Sequence, residues 1–159
     1  MRFLLFSLLV ALVSGGCGGA QQGGGTTVAD PEVRQQAIDE VTQLAEQTCE
    51  VGVHGSLDHI ADDILVVGTA GEVIQGLSSL GEVNTSYTER EVRVVHECEG
   101  VQRIVNTSAA ANVVWMEESL RTHATWPDFD VNFPSQRSLI FERTTDGWRL
   151  RYYSLSVRL

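Results

Sequence analysis

Residues 138–157 read SLIFERTTDGWRLRYYSLSV, and the fold is decided there. Two apolar-rich runs flank Thr144-Thr145-Asp146-Gly147. An Asp-Gly pair between such runs is a strong hairpin signal, because both residues tolerate the backbone of a tight turn. Side chains alternate along a strand. The second run therefore presents Trp148, Leu150, Tyr152, Ser154 and Ser156 on one face, and Arg149, Arg151, Tyr153, Leu155 and Val157 on the other. The expectation is a hairpin in the middle of a curved sheet wrapped on a helix, with the parity of Trp148 setting the hollow side.

The helix is signalled near the start of the folded part. Asp30-Pro31-Glu32 combines a capping Asp, a Pro suited to a first turn and an acid near the positive helix end. Val33, Ala37, Ile38, Val41, Leu44, Ala45 and Thr48 recur at three- and four-residue steps, which predicts an amphipathic helix of about five turns. The segment 51–55, with two glycines, is expected to end it. Ser56 can cap a short second helix over 57–61. Residues 64–67 make a brief buried strand, Ala70-Gly71 a turn into Glu72-Val73-Ile74, and residues 76–86 a third helix. Strands follow. Residues 91–99 alternate, setting Val92, Val94, His96 and Cys98 opposite Arg93, Val95 and Glu97. Residues 102–106 are either a continuation or the next strand. Residues 107–110 turn, 112–126 form a long strand, and 127–136 read as a loop. Helices first and antiparallel strands after give an α+β class with helices on one face of the sheet.

The totals fit one domain. The chain has 159 residues, is 43% apolar and holds three prolines, which argues against disorder. Its net charge of −10 disfavours nucleic acid and electrostatic adhesion to anionic lipid.

Arg2 precedes a run of about a dozen apolar residues, which suits a secretory signal and is too short for a membrane span. Val13-Ser14-Gly15-Gly16-Cys17 resembles the bacterial lipobox, with Ser14 where Leu is usual; the alternative is an ordinary secretory signal with an incidental Cys. The resemblance implies cleavage after residue 16 and lipidation, including palmitate, on Cys17. Residues 18–29 hold five glycines and no charge, so 17–29 is expected to be a flexible tether ahead of a folded domain over 30–159. Gly18 in place of Asp is similar to outer-membrane sorting signals, so the expected location is the cell envelope, lipid-anchored and facing the periplasm. That compartment is oxidising and leaves Cys49 and Cys98 as an even pair, either a disulfide or two separate buried thiols.

Three places resemble the nuclear transport factor 2-like superfamily, in its SnoaL-like and ketosteroid-isomerase-like branches. One is residues 55–68, GSLDHIADDILVVG; another is Val73-Ile74-Gln75-Gly76-Leu77; the last is residues 141–150, FERTTDGWRL. The resemblance covers 30–159. It implies a cone-shaped, strongly curved antiparallel sheet with a long N-terminal helix and two shorter helices on its concave side. A pocket would lie at the wide end, and dimers would form through the outer sheet face. Such folds serve isomerases, dehydratases and pure binding modules alike, so the fold leaves the activity open.

On that fold Tyr152 and Ser154 become pocket candidates, Tyr152 as a hydrogen-bond donor to a ligand oxygen or as a core tyrosine bonded to backbone. On the long strand Trp115, Glu117, Ser119, Arg121 and His123 share one face, and Val114, Met116, Glu118, Leu120 and Trp126 the other. Either parity could line the pocket, with Met116 and Leu120 favouring the second. Trp115, Trp126 and His123 are therefore candidates, and Arg121 with His123 is either an anion site or solvated surface. The segment 126–134, WPDFDVNFP, is either a lid, a partner surface or aromatics packed on the sheet edge. His54, His59, His96 and His123 make no recognised metal-ligand spacing, and nucleotide-binding glycine motifs are missing, so no metal or cofactor is expected. No catalytic acid can be placed. The leading expectation is a non-catalytic domain binding an apolar small molecule or a protein partner. The alternatives are an isomerase- or dehydratase-type enzyme and an envelope scaffold with a filled pocket.

Overall fold

The computed structural model describes residues 27–55 and 58–158; Cys17, the signal segment and Ser56-Leu57 lie outside them. Helix α1 (Pro31–Gly55) buries Ala37, Val41, Ala45 and Cys49, one residue per turn on a single stripe. It runs through the segment expected to end it. Gly52 costs only about 1 kcal/mol relative to alanine, too little to stop a helix whose earlier turns are already nucleated and packed.

Strand β1 (Ile60–Val67) follows, so Ile60 and Ala61, expected in a short helix, instead open a strand and are buried in it. Then come β2 (Val73–Gln75), α2 (Leu77–Glu89), β3 (Arg93–Thr107), β4 (Val113–Trp126), β5 (Phe129–Thr144) and β6 (Gly147–Val157). They form one sheet in the order β2-β1-β6-β5-β4-β3, with the β5–β6 hairpin at its centre as expected. Gly147, at φ 108°, closes that hairpin. One pairing departs from the antiparallel expectation: β1 joins β6 in parallel. Residues 102–106 continue β3 past a bulge at Gly100, whose φ of 70° only glycine adopts readily. The segment 127–136 is not a loop. Pro127 and Asp128 make a tight turn, and β5 pairs with β4 from Phe129 onward.

A second bulge sets the inner face. Along β5–β6 the register runs Ile140↔Tyr152 and then Phe141↔Leu150, leaving Arg151 as the extra residue. Its guanidinium reaches Asp63 on β1 and Glu142 on β5. An extra residue shifts side-chain parity by one. Trp148 and Leu150 are buried before it, Tyr153 and Leu155 after it.

The core lies between the inner face and the helices, with α1 packed chiefly on β3. Trp148 faces α1: its indole N–H donates to Glu40 Oε2 at 2.8 Å, and Arg143 donates to the same oxygen at 2.6 Å while stacking over the indole. The Trp148 N–H holds the Glu40 carboxyl below its ordinary value, with burial opposing and Gln36 and Arg143 adding. Deeper in, Glu118 and Arg137 are wholly buried. Glu118 accepts from Arg137 Nε at 2.7 Å and from Arg103 Nε at 2.6 Å. Arg137 also donates to Thr48 Oγ1, the Ala45 carbonyl and Cys49 Sγ, so the sheet is bonded to the second half of α1. Cys49 and Cys98 are joined as a disulfide, with Cα atoms 6.0 Å apart, tying α1 to β3 at the same place.

Candidate functional site

Beyond this polar layer the inner face opens into a cavity of about 160 Å³. The strand parities supply its walls: Val66 from β1, Val94 from β3, Ala124 from β4 and Leu155 from β6. Three rings join them, Tyr87 from α2, Trp126 from β4 and Phe133 from β5. Trp126 stacks on Phe129 across the tight turn, with ring centroids 4.6 Å apart, which fixes the indole at the cavity's edge. An apolar wall with a few convergent polar groups is the usual make-up of a ligand site.

Tyr153, His96 and Thr122 of the lining form one chain with Ser135 behind them. Tyr153 OH lies 2.9 Å from His96 Nε2, and His96 Nδ1 lies 3.0 Å from Thr122 Oγ1. Thr122 Oγ1 is 2.6 Å from Ser135 Oγ, which donates to the Leu120 carbonyl at 3.4 Å. A carbonyl can only accept, so it gives the chain a direction. Ser135 donates to Leu120, Thr122 to Ser135, His96 Nδ1–H to Thr122, and Nε2 is left to accept the Tyr153 proton. This tautomer is assigned from the network. Burial pushes the Tyr153 hydroxyl up to about 12, with Arg137 pulling down and Glu118 pushing up by smaller amounts. Tyr153 therefore stays a protonated donor at neutral pH. With its proton engaged by His96, the Tyr153 oxygen presents a lone pair to the cavity and can accept a hydrogen bond from a donor that enters it. Burial also raises the Tyr87 hydroxyl, with the Glu72 carboxylate adding to it.

Several expected residues fall elsewhere. Tyr152 and Ser154 are turned to the outer face by the Arg151 bulge, and Tyr153 takes the place expected of Tyr152. Trp115 and His123 also lie on the outer face, because Met116, Leu120 and Ala124 take the buried parity. Trp115, Ile140 and Tyr152 sit in register there across β4, β5 and β6. His123 pairs with Asp130 at 3.1 Å, and Arg121 donates to Asn132 at 3.1 Å, so both are engaged at the surface. Trp126 does line the cavity. Alternation sets His96 on the correct face without linking it to a site. It passes over Tyr153, although the spacing Trp148, Leu150, Tyr153, Leu155 carries a skipped residue that marks the bulge. Among the described residues no group of three or more His, Cys, Asp or Glu side chains could hold a metal ion.

A bent sheet folded around a long helix, with a hollow at the open end, is the cone of the nuclear transport factor 2-like proteins. More narrowly, the chain belongs to the SnoaL-like domain family, whose model matches residues 32–159. It is similar to an NTF2-like protein of unknown function from Prochlorococcus marinus, with TM-score 0.62, 15% identity and coverage of 76% of this chain and 92% of that one. It is also similar to a proposed aromatic ring hydroxylase from Novosphingobium aromaticivorans, with TM-score 0.63, 15% identity and coverage of 82% and 93%. A proposed dehydratase of the NTF2-like family from Streptomyces avermitilis gives TM-score 0.57, 18% identity and coverage of 81% and 99%. At such identities the likeness speaks to the fold alone. No curated protein matches the chain.

Proposed function

We propose that the domain binds a small, largely apolar molecule that offers one hydrogen-bond donor to the polar side of the cavity, which includes the Tyr153–His96 pair. The observation that carries this reading is the cavity of about 160 Å³ with apolar walls and that hydrogen-bonded pair in its lining. An unfilled hollow weighs against a scaffold with a filled pocket. Native mass spectrometry of the purified protein tests the reading. A small-molecule adduct is expected, and Ala124→Trp, which fills the hollow, should remove it. An adduct equally abundant in that variant would contradict the assignment.

A second reading, an enzyme of isomerase or dehydratase type, is favoured by the same pair, with Tyr153 turning its O–H from His96 onto the developing oxyanion and the freed His96 Nε2 taking the proton. Solvent deuterium exchange at the carbon next to a ketone in the cavity, lost in His96→Gln, would support it. Neither the dehydratase-like nor the hydroxylase-like neighbour decides between the readings.

We further propose that the protein is lipid-anchored through Cys17 in the cell envelope. Cys17→Ser should abolish palmitate labelling and membrane fractionation, and unchanged fractionation would defeat the idea. A homodimer through the outer face, across exposed Trp115, Ile104 and Ile140, completes the reading. Trp115→Glu should convert the dimer to a monomer in sedimentation.

A further inference from the structure

The cavity's lining also bears on the charge of its ligand, an inference that rests on the cavity being a ligand site. Glu72 is part of that lining, and its place there is owed to Gly68. On β1, Ile64 and Val66 point inward at alternate positions, and Gly68 continues the same parity just beyond the strand. Where any other residue would carry a Cβ, the Glu72 carboxylate lies instead; a Cβ built at Gly68 would overlap its Oε1 and Cδ. The three-residue loop makes this reach workable. Gly71, at φ 81°, closes a turn through its N–H to the Gly68 carbonyl, and the Ala70 N–H donates to Glu72 Oε2 at 2.9 Å. The carboxylate is thus folded back over the inner side of its own hairpin and held there by backbone.

The same cavity is bounded by the rings of Tyr87, Trp126 and Phe133. Aromatic faces attract positive charge, and a carboxylate neutralises it. Together they discriminate against anions and give a neutral hydroxyl little advantage. A cavity of about 150 Å³ accepts one benzene ring, so the body of the ligand is of that order. The net charge of −10 favours the approach of cations. We propose that the site takes a small lipophilic ammonium ion, an alkyl- or arylalkylamine, with its apolar body over Val66, Val94 and Leu155 and its nitrogen at Glu72.

Isothermal titration of the full-length protein at neutral pH with three matched probes tests this. The probes are 2-phenylethylammonium, neutral 2-phenylethanol and anionic 3-phenylpropionate. The ammonium should bind about threefold tighter than the alcohol, the range for a cation site whose carboxylate is exposed, and the propionate should bind weakest. Glu72→Gln should erase the advantage of the ammonium and leave the alcohol within about twofold of its wild-type affinity. Gly68→Ala should do the same by expelling the carboxylate. The wild-type comparison decides even if a variant folds poorly. An alcohol that binds as tightly as the ammonium would overturn the cation assignment while leaving the cavity a ligand site. Failure of all three probes to bind would overturn both.

Discussion

Replacing Glu118 with Gln should be among the most damaging single changes in this protein that alter no volume. Both Glu118 and Arg137 have fully buried side chains, whereas Arg103, at 17% exposure, can turn partly to water. Glutamine keeps the shape and one acceptor oxygen but removes the charge that both arginines face. Arg137 then retains Thr48, the Ala45 carbonyl and Cys49 Sγ, all uncharged partners. Stranding one member of a buried ion pair costs about 3–5 kcal/mol. For a domain of this size that lowers Tm by on the order of 10–20 °C. Urea unfolding with the disulfide intact would read it as a fall in midpoint at unchanged m-value. The double replacement Glu118→Leu with Arg137→Met removes both charges and should stay within about 2 kcal/mol of wild type, because an apolar pair of similar volume carries no desolvation cost. A loss below about 1 kcal/mol for Glu118→Gln would mean that water reaches the pair and that the polar layer does not bind the sheet to α1.

Cys98→Ser should cost about 4 kcal/mol on the chain-entropy model, since the bond spans a sequence separation of 49 residues, and denaturant midpoints under oxidising conditions check it. Glu40 has a depressed carboxyl in the folded state, so its contribution is present above its ordinary value of 4.5 and lost as pH falls through the folded one. Glu40→Gln should therefore be less stable than wild type at neutral pH, and the gap should close in acid; a gap independent of pH would contradict the pairing with Trp148 and Arg143. Tyr153 has a raised hydroxyl, so its contribution is whole below the unfolded value of about 10 and is lost as pH rises through about 12. Ultraviolet titration should show a late phenol step at about 12 that disappears in Tyr153→Phe.

Much of this fold is legible in local pattern because its signals are local. The Asp-Gly hairpin, the cap at Asp30 and the alternation of 113–126 depend on neighbours in sequence, and each element forms where those signals lie. The face of β4 is harder. Alternation leaves both parities open, and only the bulk of Met116 and Leu120 tips it; the buried Glu118 among them looks like a surface residue until Arg137 and Arg103 supply its partners from β5 and β3. The site itself is displaced by one residue. A bulge is a two-strand property, visible only in the register between β5 and β6, and strict alternation run past Arg151 exchanges Tyr153 for Tyr152. The segment 127–136 reads as a loop because it sets aromatics among prolines and acids, whereas its backbone hydrogen bonds are satisfied by β4. The part played by Gly68 is invisible for a similar reason: an empty position has meaning only once its occupant, Glu72, is known.

The most direct measurement is the set of intermolecular nuclear Overhauser effects from saturating 2-phenylethanol to the labelled protein. Cross-peaks to Leu155 and Val94 methyls and to the Tyr153 ring, and none to Ile140 or Trp115, are expected if the inner face after the Arg151 bulge bounds the ligand site. Contacts confined to Ile140, Trp115 or Tyr152, or no contacts at saturation, would contradict it.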